Sequence, residues 1–144
     1  MTTGIGIFVL GLCIGSFLSA AIYRAHTKGK SLVKGRSACP KCGHKLNAKD
    51  LIPVISYLFQ MGKCRYCKKH ISPHYPLLEI LTGALFAAVF FEFGATLTSA
   101  FYILIGTFMI GIFFEDLFYK EISNGFMIPL VILALVLNLL MGIV

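Results

Sequence analysis

Cys39-Pro40-Lys41-Cys42 and Cys64-Arg65-Tyr66-Cys67 form two matched C-x2-C hooks with 21 residues between them. Each hook presents two sulfurs from one tight turn, so together Cys39, Cys42, Cys64 and Cys67 can complete a tetrahedral Zn2+ site. His44 and His70 follow their hooks closely, but four cysteines already fill that site, and both histidines read as exposed loop residues. A thiol–disulfide system is the other chemistry open to four cysteines; metal analysis before and after thiol alkylation separates the two. The fifth cysteine, Cys13, stands alone in an apolar run and reads as a small buried hydrophobe.

Asp116 is the second group with chemical potential. A carboxylate at the end of an apolar helix is costly unless it meets water, a partner or a protein interior, which makes it a functional-site candidate. The competing reading is an i,i+4 ion pair with Lys120. Glu115 is adjacent, but neighbours in a helix point to different faces, so Glu115 and Asp116 make a poor acid–base dyad. Glu79 reads as an acid near the start of a helix, where the dipole favours it, or as a partner of the basic loop. Glu92 and Glu121 read as solvated helix ends. His26 and His74 have no partner visible in the sequence.

The elements that must position these groups belong to a membrane. Hydrophobic residues make up 58% of the 144 and charged residues only 13%, with a mean hydropathy of +0.85; a soluble domain carries about a quarter charged residues. The expected fold is an all-α integral membrane protein with four transmembrane helices and a small cytoplasmic four-cysteine zinc-binding insert. Residues 4–23 are uncharged and long enough to cross a hydrocarbon core. Gly11-x3-Gly15 within them reads as helix packing inside this chain. The second span is expected over 77–91, a short outer turn over 92–99, the third span over 101–114 and the fourth over 124–144. The domain reading is therefore 1–24 for the first span, 25–76 for the zinc-binding insert and 77–144 for a three-helix unit. Inside the insert, 51–59 is apolar but too short to span, with Pro53 in the first turn of a short helix. It is expected at the membrane surface or under the metal site.

Charge orients the spans. Twelve of the 13 Lys and Arg lie between Arg24 and Lys69, where Asp50 is the lone acid. Basic loops stay in the cytoplasm, which puts the N-terminus outside and the cysteines in a reducing compartment where metal is favoured over disulfides. A nucleic-acid surface is the other reading of such a run; membrane spans crowd it on both sides, and no nucleic-acid partner is expected.

Several segments, in order, resemble the bacterial prepilin leader peptidase/N-methyltransferase family, membrane aspartic peptidases of the cytoplasmic (inner) membrane. They are Gly15-Ser16-Phe17-Leu18-Ser19-Ala20-Ala21-Ile22-Tyr23-Arg24, the two cysteine hooks, Ile71-Ser72-Pro73-His74-Tyr75-Pro76-Leu77-Leu78-Glu79, and Asp116-Leu117-Phe118-Tyr119-Lys120-Glu121-Ile122-Ser123-Asn124. The resemblance implies hydrolysis by two intramembrane aspartates, with Asp116 as the first. It implies a prepilin or pseudopilin substrate cut after a short basic leader. In many members it also implies N-methylation of the new N-terminus from S-adenosylmethionine. Ser19, Ala25 and Ser123 depart from the family's usual Asn, Pro and Pro.

The family's second aspartate lies in a Gly-x-Gly-Asp motif on a later helix, and no such motif occurs in these 144 residues. Two carboxylates sharing a proton are needed for one to act as acid while the other acts as base. The expectation is thus a truncated or split chain, inactive alone, that needs a further C-terminal segment or second subunit. The rival expectation is a non-catalytic membrane zinc module that binds a protein partner or anionic lipid through its basic loop.

Overall fold

The structure, a computed structural model, describes residues 2–27 and 37–141. Lys28, Lys30, Lys34 and Arg36 of the basic loop lie outside the described residues, as do the last three residues of the expected fourth span. The described chain is helical, with two isolated β-bridges and no strands. Four apolar helices are α1 (Thr2–Ala25), α3 (His74–Phe93), α4 (Leu97–Tyr119) and α5 (Asn124–Met141); the insert carries a 3-10 turn (Ala48–Leu51) and a short helix, α2 (Ile55–Phe59). Three of them (α1, α3 and α4) are long and apolar enough to cross a membrane. The 18 described residues of α5 extend about 27 Å at 1.5 Å per residue.

Helix boundaries fall where the local chemistry sets them, and they correct the expected spans. α3 begins three residues early, at His74: Pro76 lies in its first turn, where backbone N–H groups have no intrahelical acceptor, so the proline costs no bond. Gly94, at φ +63°, ends α3 and donates its N–H to the Phe90 carbonyl. Thr96 and Ser99 then cap α4 reciprocally, each side chain accepting the other's backbone N–H at 3.1 Å. α4 therefore starts at Leu97 and runs past both acids to Tyr119. Lys120 takes the left-handed conformation and donates its N–H to the Asp116 carbonyl at 2.8 Å. Pro53 precedes α2 rather than opening it; Val54, at φ +60°, lies between them.

α1 and α3 pack antiparallel at very short range. A Cβ on Gly11 would stand 2.7 Å from the Gly83 Cα, and one on Gly15 would stand 2.8 Å from the Glu79 Cα. Without a hydrophobic drive between helices in lipid, such backbone proximity is what yields dispersion contact. The Gly11-x3-Gly15 pair thus serves packing within the chain. Cys13 points the other way and is exposed on the outer face of α1, which corrects its reading as a buried residue. A core of Leu18, Ala21, Ile22, Leu78, Phe114 and Phe126 gathers where the cysteine-side ends of α1, α3, α4 and α5 meet. Elsewhere the helices are largely exposed, as spans surrounded by lipid would be; only 17% of the most apolar window of α4 is buried.

Candidate metal centre and the acids beneath it

The two cysteine hooks fold alike. In the first, the Cys39 N–H donates to the His44 carbonyl at 3.0 Å and the Gly43 N–H to the Cys39 carbonyl at 2.8 Å; in the second, Cys64 donates to Lys69 and Lys68 to Cys64, both at 2.9 Å. The fourth residue after each leading cysteine is left-handed: Gly43 at φ +70° and Lys68 at φ +59°. Glycine takes that conformation freely, whereas lysine takes it at a cost of about 1–2 kcal/mol.

This duplication brings the four sulfurs within 4.8 Å of one another. A tetrahedron with Zn–S bonds of about 2.3 Å needs sulfurs about 3.8 Å apart, so a small contraction would close the set on a metal ion. Cys39 and Cys64 are buried, Cys42 is exposed and Cys67 half-buried; all are free thiols. Burial works against ionisation of Cys64, but backbone N–H groups of Cys67 and Tyr66 and the Cys39 and Cys67 thiols outweigh it and bring the thiol down to about 7. The His44 backbone favours a thiolate at Cys42, yet desolvation together with competition from Cys39 and Cys67 leaves it raised to about 11. The set can hold a metal ion.

Polar contacts lock the hooks together. Tyr66 donates its hydroxyl to Asp50 at 3.1 Å, and the Asn47 side-chain amide donates to the Tyr66 oxygen at 2.9 Å. The His44 ring stacks on Tyr66 at 3.7 Å, so His44 braces the centre rather than ligating it. Asp50 also accepts the Asn47 N–H and pairs with Arg65 at 3.8 Å. The lone acid of the basic segment is thus a structural junction, a role its sequence position does not reveal.

Below the hooks lies a cavity of about 360 Å³ between the insert and the α1–α3 pair, lined among others by Ser16, Tyr23, Arg24, Tyr75 and Glu79. Glu79 is buried and accepts the Val54 N–H at 2.7 Å, and the Ser16 side chain reaches the same carboxylate. It does not cap its own helix: it is the sixth residue of α3, past the first turn, and it ties the insert to the spans instead.

At the end of α4 the adjacent acids separate. Asp116 is exposed, with no ion pair to Lys120 among the described residues, and it does not line the Glu79 cavity. Glu115 is fully buried. It accepts the Ser123 N–H at 3.1 Å and pairs with His26 Nε2 at 2.9 Å. His26 stacks flat on Tyr119 at 3.9 Å, and its Nδ1 lies 4.0 Å from Glu121, which is largely exposed. Glu115 and His26 thus bind the end of α1 to the α4–α5 turn beside Asp116.

Residues 9–93 match the family described as Bacterial Peptidase A24 N-terminal domain. The chain is similar to proteins named prepilin leader peptidase/N-methyltransferase. One from Myxococcus xanthus (strain DK1622) is 49% identical over 90 residues, 62% of this chain and 27% of the relative. One from Neisseria gonorrhoeae is 33% identical over 154 residues, 91% of this chain and 54% of the relative. One from Bacillus subtilis (strain 168) is 43% identical over 91 residues, 63% of this chain and 36% of the relative. The chain spans about half the length, or less, of these relatives. No solved structure matches it.

Proposed function

The chain belongs to the bacterial peptidase A24 N-terminal domain family, and on that premise we propose that it forms the metal-bearing part of a membrane aspartic endopeptidase that removes the basic leader from prepilin-like proteins. The exposed Asp116 carboxylate carries the reading: it stands at the end of an apolar span, unpaired with Lys120, while its neighbour Glu115 is occupied by His26 and Ser123.

In this reading Asp116 acts as one member of a carboxylate pair. Ionised, it takes a proton from water as that water attacks the scissile carbonyl; the partner carboxylate, protonated, hydrogen-bonds the carbonyl oxygen and then supplies the proton that the leaving amine needs. Glu115 is held away from that chemistry. In the family that the Asp116 segment resembles, the partner carboxylate belongs to a Gly-x-Gly-Asp motif, which these 144 residues do not contain. Zinc is the metal we assign to Cys39, Cys42, Cys64 and Cys67. Four thiolates leave it no open position, so it would fix the hooks rather than activate water. When bound, S-adenosylmethionine would supply the methyl group for the new N-terminus. The cavity above Glu79 has the size of a small-molecule site, with Arg24 and Glu79 both in its lining.

We read residues 1–24 as the first span, 25–76 as the metal-binding insert and 77–144 as the start of the peptidase membrane domain. The insert then faces the cytoplasm of a bacterial inner membrane and the N-terminus lies outside, as the basic residues around the cysteines favour. A processing assay tests the function. The chain is reconstituted with prepilin, alone and together with the C-terminal half of the Myxococcus xanthus relative. Leader removal is expected in the combined sample and lost in Asp116→Asn. Cleavage by the combined sample that survives Asp116→Asn overturns the assignment.

A further inference from the structure

The edge of the insert around Val54 is held beside the cysteine-side ends of the spans. Val54 donates its N–H to Glu79, and Ser16 reaches the same carboxylate. Ser16 lies nine residues before Ala25, the last residue of α1. At 1.5 Å per residue, and allowing for the reach of the Glu79 side chain toward the start of α3, Val54 sits about 10 Å below the cysteine-side end of α1 and about 4 Å below that of α3. The segment around α2 is therefore set alongside helices that cross the membrane. Tyr57 faces the cavity against α1 and α3, and Ser56 and Gln60 line both that cavity and the outer groove. The opposite side carries apolar groups: Leu58, Phe59 and Met61 are 67%, 85% and 82% exposed, with Ile52 and Ile55 beside them.

An apolar face of this kind, at this depth, continues the lipid-facing surface of the spans. Its rim is basic. A groove of about 600 Å³ runs from Ile52, Ile55, Phe59 and Met61 to Lys49, Lys63 and Lys68. Asp50 also lines it, but its side chain is turned inward toward Tyr66 and Asn47, with Arg65 the cation closest to it. Lys49, Lys63 and Lys68 have no acidic partner among the described residues. Apolar teeth beneath a row of free cations are what an interfacial segment presents to an acidic leaflet.

We propose that residues 52–61 form an interfacial anchor: Ile52, Ile55, Leu58, Phe59 and Met61 sit among acyl chains just below the headgroups of the cysteine-side leaflet, and Lys49, Lys63 and Lys68 hold headgroups of anionic phospholipid. This rests on the membrane-spanning helices and is independent of the peptidase reading.

The chain contains no tryptophan, so a single Phe59→Trp substitution at this exposed site makes a clean fluorescent probe, with Met61→Trp as a second. Each variant is reconstituted into phosphatidylcholine vesicles containing phosphatidylglycerol, with bromine on the upper acyl carbons of one lipid or the other. Phe17→Trp, on the exposed face of α1, marks lipid contact, and Lys41→Trp, at the first hook, marks water; circular dichroism confirms the helices in each variant. The expected result is blue-shifted emission from F59W and M61W that falls in proportion to brominated lipid. Brominated phosphatidylglycerol should quench more than brominated phosphatidylcholine at equal fraction. In a K49Q/K63Q/K68Q background that preference should vanish while quenching persists. Water-like emission without quenching overturns the anchor. Dry emission that bromine does not touch also overturns it, and means that protein, such as a second copy of the chain, covers the face. Equal quenching by the two lipids overturns the anionic assignment.

Discussion

Replacing His26 with alanine removes one of the two partners of a fully buried carboxylate. Glu115 would keep the Ser123 N–H and lose the 2.9 Å contact to Nε2. A hydrogen bond to a charged group is worth about 1.5–3 kcal/mol, and the flat stack of His26 on Tyr119 adds about 0.5–1.5 kcal/mol. Complete loss of a partner from a buried pair costs about 3–5 kcal/mol. The His26 side chain is 13% exposed, so water can reach the vacated space and the lower part of that range applies. The expected destabilisation is about 2–3 kcal/mol. Unfolding in mild detergent micelles, followed by helical circular dichroism against added denaturing detergent, measures it. A double-mutant cycle with Glu115→Gln isolates the pair and should return a coupling of about 1–2 kcal/mol. Additive single mutants, with coupling below about 0.5 kcal/mol, would refute the idea that this contact fastens α1 to the α4–α5 turn.

Further outcomes follow from other contacts. Gly15→Ala places a Cβ 2.8 Å from the Glu79 backbone and should destabilise the α1–α3 pair by about 1–3 kcal/mol; Gly6→Ala meets nothing within 4 Å and should be neutral or stabilising in the same unfolding assay. Gly43→Ala should weaken the first hook by about 1 kcal/mol, whereas Lys68→Gly should relieve left-handed strain in the second and stabilise it by up to about 1 kcal/mol, both read as shifts in the zinc-loaded thermal midpoint. Plasma emission spectroscopy of purified protein should find one zinc per chain, lost in Cys39→Ser or Cys64→Ser, and chelation should expose all four hook thiols to alkylation.

Local features are legible in the residues themselves. The hooks were legible because two cysteines three residues apart can only share one turn, and the spans because 20 uncharged residues have few homes outside lipid. The separation of Glu115 from Asp116 follows from helical geometry alone. What escaped was contact between distant segments. His26 and Glu115 are 89 positions apart, and nothing near either residue announces the other. Glu79 was readable as an acid near a helix start; its role as acceptor for Val54, 25 positions away, depends on how the insert folds back. Asp50 has no role legible in the sequence, because Tyr66, Asn47 and Arg65 converge on it only after both hooks have formed. Cys13 was misread because burial in a membrane span cannot be judged from apolar neighbours: the outer face of such a helix is as apolar as its inner one.

The antiparallel seam of α1 and α3 has a consequence for the architecture as a whole. Because glycines bolt these two helices together, the end of α1 at Ala25 and the start of α3 at His74 form adjoining posts. Everything between is one insert, stitched back to the helices where Val54 donates to Glu79 and His26 meets Glu115. Any exchange of that insert must therefore do more than span the gap between the posts: it must also supply a partner for each of these two buried carboxylates.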